Sequence, residues 1–445
     1  MKHLTPTLAI LAITGLAPAF GANFADDLTL KPKAVIQVRD QLGASGTDSA
    51  GNDYNIYNGA NGGTDVSRIS YRRARFGVEA SNSTGWGGLF QVRAGERADA
   101  GAAPGTGQAV TLYYAYINKT WKTDQTTHTI TGGLYKSLNN ETLYSSSAFL
   151  FPQDRAVCGL LERRNPGIGY WGSALSMINW GIDLQHGSKV GTVDGTYTSQ
   201  DATTKTYTGL STESNGLAYS FRVDFAPTPE MMPKKRQESY CGGEGMHFVL
   251  GFDFQSDPNQ ITPANAAAPA NTTNGGKSTK SSITMYGPDL LFHFNGLTVV
   301  ADYRMRETKK EAIDANIPAA NDTSYDKVKG AIFDLQAGYA FSMEGGWALE
   351  PAIRYGKVDR DKDIDDGDVA NANGSVNTVG TPYSSGEWDG KKSGSEWGIG
   401  LNFYWNGHAN KTQLAFTSWT GEGCNSTSGS APKAKIFTIQ HQITF

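Results

Sequence analysis

The chain has 445 residues, with 39 Lys and Arg against 43 Asp and Glu, for a formal net charge of −4 and an isoelectric point near 6.0. That balance excludes the basic footprint of a nucleic-acid binder. A mean hydropathy of −0.41 with 38% hydrophobic residues leaves no run beyond the N-terminus near the roughly 18–20 apolar residues of a membrane helix. Glycine is frequent at 53 residues and aromatics make up 11%, a composition that fits a membrane barrel with half-polar strands and a secreted all-β protein equally.

The first element reads as a secretory leader. Lys2 and His3 precede a short apolar core from Leu8 to Leu16, and Ala17-Pro18-Ala19 or Ala19-Phe20-Gly21 supplies a small-x-small cleavage pattern. Residues 1–21 are expected to be removed, leaving 22–445 as one domain.

From there the apolar residues recur with period two, which predicts strands with one apolar face. Leu217, Tyr219, Phe221, Val223 and Phe225 alternate with Ala218, Ser220, Arg222 and Asp224; Trp397, Ile399, Leu401, Phe403 and Trp405 alternate with Gly398, Gly400, Asn402 and Tyr404. About sixteen such segments of roughly 10–14 residues, the size of tilted membrane strands, lie near 30–42, 67–80, 86–97, 108–119, 127–136, 165–175, 177–187, 215–226, 246–256, 281–294, 296–307, 327–342, 346–359, 392–405, 409–421 and 433–445.

The connections alternate in length. Long polar ones (43–66, 98–107, 137–164, 188–214, 257–280, 308–326, 360–391, 422–432) take turns with short ones such as Ser81–Gly85, Phe294-Asn295-Gly296, Ser342–Gly346 and Asn406–His408. Long outer loops and short periplasmic turns are the pattern of an outer-membrane barrel, and an even strand number puts both termini in the periplasm. The fold class expected is therefore an all-β transmembrane antiparallel β-barrel. One even connection departs: Pro227–Gly245 is either a local insertion or hides a strand pair, with its three prolines arguing against the latter. The Ser/Thr/Ala-rich 257–282 stretch reads as a flexible outer loop. The last strand, Lys435 to Phe445, places Phe437, Ile439, Ile443 and Phe445 on one face with His441, and Ile436, Thr438, Gln440, Gln442 and Thr444 on the other.

Alternation turns Arg39, Arg73, Arg75, Arg93, Arg222, Arg304, Arg306 and Arg354 toward the lumen, because a charge on the lipid face costs roughly 2–4 kcal/mol at mid-membrane. Rows of arginine in a narrow pore would attract anions and grip phosphate or sulfate oxygens in pairs. The same parity turns Glu79, Asp183, Asp224, Asp253, Asp302, Asp334 and Glu350 inward, so mixed ion pairing along the wall is the competing arrangement. The 137–164 loop carries Leu138, Leu143, Tyr144, Phe149, Leu150, Phe151, Leu160 and Leu161, which a loop folded into the barrel would bury. It would then act as a constriction with Lys136, Arg155, Arg163 and Arg164 as its positive charges, offset by Glu141, Asp154 and Glu162. A compact extracellular flap is the other possibility.

Of Cys158, Cys241 and Cys424, only Cys158 and Cys424 fall on the same side and could pair; otherwise all three stay unpaired. Asp359–Asp368 has Asp361, Asp363 and Asp365 at calcium-ligand spacing but lacks the turn glycine and the twelfth-position Glu, so it reads as a solvated acidic loop. The 7 histidines fall in no metalloprotease or hydrolase motif, and no metal or cofactor is expected.

Three islands resemble the O/P family of phosphate-selective porins. Ser70-Tyr-Arg-Arg-Ala-Arg-Phe-Gly-Val-Glu79 is similar to an R-R-A-R-hydrophobic-G-hydrophobic-E strand segment. Gly133-Leu-Tyr-Lys-Ser-Leu-Asn-Asn-Glu-Thr-Leu-Tyr-Ser145, with Phe151 and Arg155, is similar to the stretch leading into that family's constriction loop. Gly398-Ile-Gly-Leu-Asn-Phe-Tyr-Trp-Asn406 is similar to a hairpin near its end. Ser137-Leu138 stands where the family often has proline, and the nearest approach to a lysine cluster is Lys234, Lys235 and Arg236. The resemblance implies a sixteen-stranded homotrimeric porin for anions, with Arg73, Arg75, Lys136 and Arg155 facing the pore. The expected activity is passive diffusion of small hydrophilic solutes, anions and phosphate in particular, with no enzymatic reaction. The alternatives are an adhesive or structural barrel with a plugged lumen, and a barrel hydrolase. The expected partners are the lipid bilayer with its lipopolysaccharide, and small anions or other hydrophilic solutes.

Overall fold

The structure, a computed structural model, describes residues 27–47, 53–54, 66–94, 110–137, 164–187, 190–198, 204–212, 217–233, 245–262, 279–312, 325–360, 394–421 and 433–445. Sixteen strands make the wall. They are β1 Thr29–Thr47, β2 Val66–Ser81, β3 Trp86–Ala94, β4 Thr111–Lys122, β5 Thr126–Lys136, β6 Arg164–Ala174, β7 Ile178–His186 and β8 Leu217–Phe225, followed by β9 Met246–Thr262, β10 Thr279–Phe294, β11 Leu297–Ala312, β12 Tyr325–Tyr339, β13 Ala348–Arg360, β14 Gly394–Asn406, β15 Asn410–Gly421 and β16 Lys433–Thr444. Each pairs antiparallel with the next, and β16 pairs with β1 from Val35↔Thr444 to Thr47↔Lys433, which closes the barrel. The terminal Phe445 joins the seam through its backbone: its N–H donates to the Ala34 carbonyl at 3.0 Å, and the Ala34 N–H donates back to its carbonyl at 3.2 Å.

Period-two alternation is the cause of this closure. The outer face carries Ile182, Phe221, Phe252, Ile353, Trp397, Ile399 and Phe437, all exposed, while Gln37, Arg222, Asp253, Glu350, Asn402 and Gln440 on the opposite face are buried. Such a chain buries its polar face against itself and leaves its apolar face to lipid, the reverse of a soluble sandwich. Aromatic contacts sit on the outside near the strand ends, with Trp121 stacked on His128, His128 on Tyr170, and Phe403 on Trp405.

The short turns are those the sequence predicts. Asn295 and Gly296 between β10 and β11 hold φ of 44° and 89°, the two left-handed positions of a tight hairpin turn. Two β-bulges re-aim side chains: the register steps from Gln37↔Arg73 to Val38↔Tyr71, leaving Arg72 extra, and from Gln91↔Tyr114 to Val92↔Leu112, leaving Tyr113 extra and buried.

Two expectations change, and one pair of alternatives is decided. The 257–282 stretch is not wholly a loop, because β9 runs on through Thr262 and β10 already begins at Thr279. The 188–214 connection contains a two-stranded hairpin, Val190–Thr198 with Thr204–Thr212. The long 227–245 turn hides no wall strands, since β8 pairs directly with β9 from Tyr219↔Ser256 to Phe225↔Leu250. It begins instead with a short 3-10 turn, Pro229–Met231, and Met232 then packs on Val249, Leu291 and Val300 of the inner face. The turn's first residues thus fold back to Met232, which covers apolar inner residues of β9, β10 and β11.

Candidate functional site

The lumen wall divides into three sectors. The first spans the closing seam. Arg39 donates from Nε and Nη2 to Gln440 Oε1 at 3.1 and 2.7 Å, Gln440 donates to Gln413 at 3.2 Å, Gln413 to Asn402 at 2.9 Å, and Asn402 to Glu350 at 3.0 Å. One directional chain of donors thus links β1, β16, β15, β14 and β13, and Tyr404 also donates to Glu350 at 2.6 Å. Beside it, Arg73 donates to Gln37 at 2.8 Å and Gln37 to Gln442 at 2.6 Å. Arg75 lies across from Arg93 in the β2–β3 register, and Arg75 and Arg164 each hold their guanidinium carbon 4.0 Å from the Tyr113 ring centroid. These amide and ring contacts orient the guanidinium groups of Arg39, Arg73, Arg75 and Arg164 on this side of the wall.

The second sector is an ion-pair belt on β8–β11 and β13–β14. Arg222 meets Asp289 with two parallel bonds of 2.7 and 2.8 Å, and its Nη2 also lies 2.7 Å from Asp224. Arg304 pairs with Asp253 and stands 3.9 Å from Asp289, while Arg354 pairs with Glu396. All of these side chains are buried. Here mixed wall pairing is what the sequence's inward carboxylates produce.

The third sector is the inner face of β3 to β6. It presents Leu89 and Gln91, then Tyr114, Tyr116 and Asn118, then Thr127, Thr129, Thr131 and Tyr135, then Trp171 and Ser173, by the strand parities and registers. Most of these border a cavity of about 600 Å³ that extends across Asn179 to Arg222 and Asp224.

The named candidates fall as follows. Arg39, Arg73 and Arg75 lie in the seam sector, with Arg93 beside them half-buried. Arg222, Arg304 and Arg354 lie in the belt. Arg306 is buried on the inner face of β11, opposite Met285 and Gly330. Lys136 and Arg164 pair across β5 and β6 at the foot of the 137–164 loop. Arg155 and Arg163, the loop body, the cysteines at 158, 241 and 424, the leader 1–21 and residues 361–368 of the acidic stretch lie outside the described residues. No cluster of three or more His, Cys, Asp or Glu side chains able to hold a metal is found among the described residues.

Sequence reading missed Asp289, the hub of the belt, because its neighbours on that face of β10 are Met285, Leu291 and His293 and mask the polar parity. It also missed the aromatic sector. The run Tyr113-Tyr114-Ala115-Tyr116 was a visible signal, but only the bulge at Tyr113 settles which rings turn inward.

No protein-family model matches the chain, and no curated protein matches it in sequence. Solved structures do. The outer membrane channel DcaP of Acinetobacter baumannii is 13% identical, over 95% of this chain and 98% of that one, with a TM-score of 0.51. Outer-membrane expressed OmpT of Vibrio cholerae is 11% identical over 95% and 99%, with a TM-score of 0.47. An anion-selective porin from Comamonas acidovorans is 10% identical over 94% and 100%, with a TM-score of 0.43. At these identities the likeness is one of fold, and of the three only the first is close enough to carry it.

A closed sixteen-stranded wall, apolar outside and polar inside, is an outer-membrane β-barrel, and the outer membrane is where this chain resides. Its fold is similar to that of an outer membrane channel, with a lumen divided into an arginine–glutamine seam, an ion-pair belt and an aromatic sector.

Proposed function

We propose that the protein is a passive diffusion channel for small hydrophilic solutes, with a preference for anions, phosphate among them. What supports the preference is the gathering of arginine in the seam sector, where Arg75 lies across from Arg93 and shares the Tyr113 ring with Arg164, with Arg39 and Arg73 on the same inner face. Arginine clustered along a lumen wall attracts anions and can grip phosphate oxygens in pairs. The resemblance to the phosphate-selective family agrees, since its first island supplies Arg73 and Arg75.

Reversal potentials of single channels in a KCl gradient test this. Chloride preference is expected, shifting toward cations in the triple variant Arg39→Gln, Arg73→Gln, Arg75→Gln; cation preference of the unaltered channel removes the proposal. Phosphate should then reduce the chloride current at concentrations where sulfate does not.

The deep burial of the inner faces of β8 to β16 favours a second reading, a barrel with a filled lumen that serves structure or adhesion. Absence of conductance in planar bilayers would select it. Homotrimer assembly, implied by the family resemblance, predicts a heat-labile band of three times the monomer mass on gels. Removal of the leader after Ala19 or Gly21 predicts an intact mass beginning at residue 20 or 22.

A further inference from the structure

We infer that the inner face of β3 to β6 is a binding subsite for uncharged, hydroxylated ring solutes, that is, saccharides. The inference rests on the channel reading but not on its anion preference.

The observation is a sector of lumen wall without charge. Arg93, Lys136 and Arg164 stand at its loop end and Lys122 at its turn end. Between them the inward residues are aromatic, hydroxyl or amide side chains, with Leu89 and glycines. Elsewhere the described wall is mostly charged side chains and their partners, with apolar patches at Val249, Leu291 and Val300 and at Ile283, Met285 and Ile332. A solute that passes along this sector is therefore met by rings and neutral hydrogen-bonding groups. That suits a molecule with apolar C–H faces and hydroxyl edges, and it suits a naked anion poorly.

The rings are arranged in steps. Tyr113 and Tyr114 meet edge to face at 4.8 Å, Tyr114 and Tyr116 at 6.1 Å, and Tyr135 and Trp171 at 5.4 Å. Glycine lets them lie along the wall. A Cβ at Gly169 would collide with the Trp171 indole and come within 2.9 Å of the Tyr135 hydroxyl, so both side chains lean over that residue. Gly133, at φ 122°, lies against the Ala115 carbonyl and the Tyr116 backbone, where a Cβ would not fit. Hydroxyls of Thr127, Thr129 and Ser173 and amides of Asn118 and Asn179 border the same cavity of about 600 Å³, which is large enough for a mono- or disaccharide. Edge-to-face rings offer a pyranose one aromatic face at each step, with neutral donors and acceptors beside it. Three charged groups border the cavity: Lys136 at its loop end, and Arg222 and Asp224, which lie 2.7 Å apart with Arg222 also bonded to Asp289.

The test is current block of single channels in KCl by glucose, maltose and maltotriose, compared with sorbitol and a linear polyol of equal hydrodynamic radius. Block that saturates with saccharide but not with the linear polyols is expected. It should weaken about three- to tenfold in Tyr116→Ala and in Trp171→Ala, the range that one ring contact of about 0.5–1.5 kcal/mol gives. Tyr116→Phe should retain it. Ile168→Ala, on the lipid face of β6, should leave it unchanged. Saccharides that block no better than matched polyols, or block that ignores both ring variants, overturns the inference while KCl conductance leaves the channel reading standing. Block by neutral aromatic solutes but not by saccharides also overturns it. A barrel without KCl conductance instead removes the channel reading. The subsite is then decided by Trp fluorescence of the detergent-solubilised protein titrated with maltose, where a saturable change absent in Trp171→Phe supports it and no change overturns it.

Discussion

Replacing Asp289 with Ala tests how the belt holds the wall. Asp289 takes both Nη atoms of Arg222 in parallel bonds and lies 3.9 Å from Arg304, and the side chains of all three are 1–2% exposed. Removing one partner of such a buried pair leaves an uncompensated charge, at a cost of about 3–5 kcal/mol. The lower end applies here, because Asp224 stays 2.7 Å from Arg222 and Asp253 stays on Arg304. Asp224 is close but poorly aligned, its Oδ1 accepting no hydrogen bond, so it supplies Coulomb attraction without the directional bond. Asp289→Ala should therefore lose about 3 kcal/mol, while Asp289→Asn, which keeps an acceptor, loses about half of that. The paired replacement Arg222→Met with Asp289→Leu should recover only part of the loss, because an apolar pair avoids its own desolvation cost but takes the guanidinium away from buried Asp224. Equilibrium urea unfolding of the barrel in lipid vesicles, followed by tryptophan emission, reads these differences from the midpoint and slope. A value for Asp289→Ala within about 1 kcal/mol of the parent, the size of an exposed surface pair, would refute the claim that the belt is a buried structural network. Gly251→Ala is an independent check, since its Cβ would strike both Asp289 and Arg222 without removing a charge.

Ile353→Lys, on the lipid face and 60% exposed, should destabilise the barrel by roughly 2–4 kcal/mol and cut the heat-modifiable folded band on gels. Gln440→Leu removes the acceptor of Arg39 and the donor to Gln413 in one step, so a loss of about 2–3 kcal/mol in the same urea assay is expected, and a neutral result would mean that the seam is not held by its side chains. Met232→Ser should raise single-channel conductance by loosening the periplasmic turn from Val249, Leu291 and Val300; an unchanged conductance speaks against an inward-packed turn. Asp27, on the strand-entry side of β1, accepts hydrogen bonds from the Ser83 hydroxyl and N–H, which lower its carboxyl below the ordinary value. A depressed folded-state pKa means that this latch contributes fully above the unfolded value of about 3.9 and is lost as pH falls through the lower folded one. Hydrogen exchange at the 82–86 turn should thus be constant from pH 7 down to about 4 after correction for intrinsic rates and rise below it, and Asp27→Asn should show the faster exchange throughout.

Particular residues show how far the chain could be read. Leu217 to Phe225 became β8 and Lys433 to Thr444 became β16 because a lipid-facing strand must repeat its apolar side every second residue, a constraint local enough to see in ten positions. The same rule placed Gln37 and Arg39 inside and Val38 outside. It failed where the pattern thins. Val190–Thr198 and Thr204–Thr212 form strands from threonine and glycine with little apolar signal, and β9 and β10 continue into polar residues beyond 256 and before 283. The turn after β8 folds inward through one methionine, which no local pattern announces.

Parity is a property of one strand, and it settled by itself that this protein is a sixteen-stranded membrane barrel with charged side chains turned inward. Partnership is a property of neighbouring strands. Whether Arg222 meets a carboxylate and Arg39 a glutamine depends on cross-strand register over residues far apart in the chain, Asp289 in one case and Gln440 in the other. Two single-residue bulges, at Arg72 and Tyr113, then decide which arginines and rings share a side of the lumen. Register accumulates around the closed sheet, so only the tertiary structure could separate the charged wall from the aromatic one.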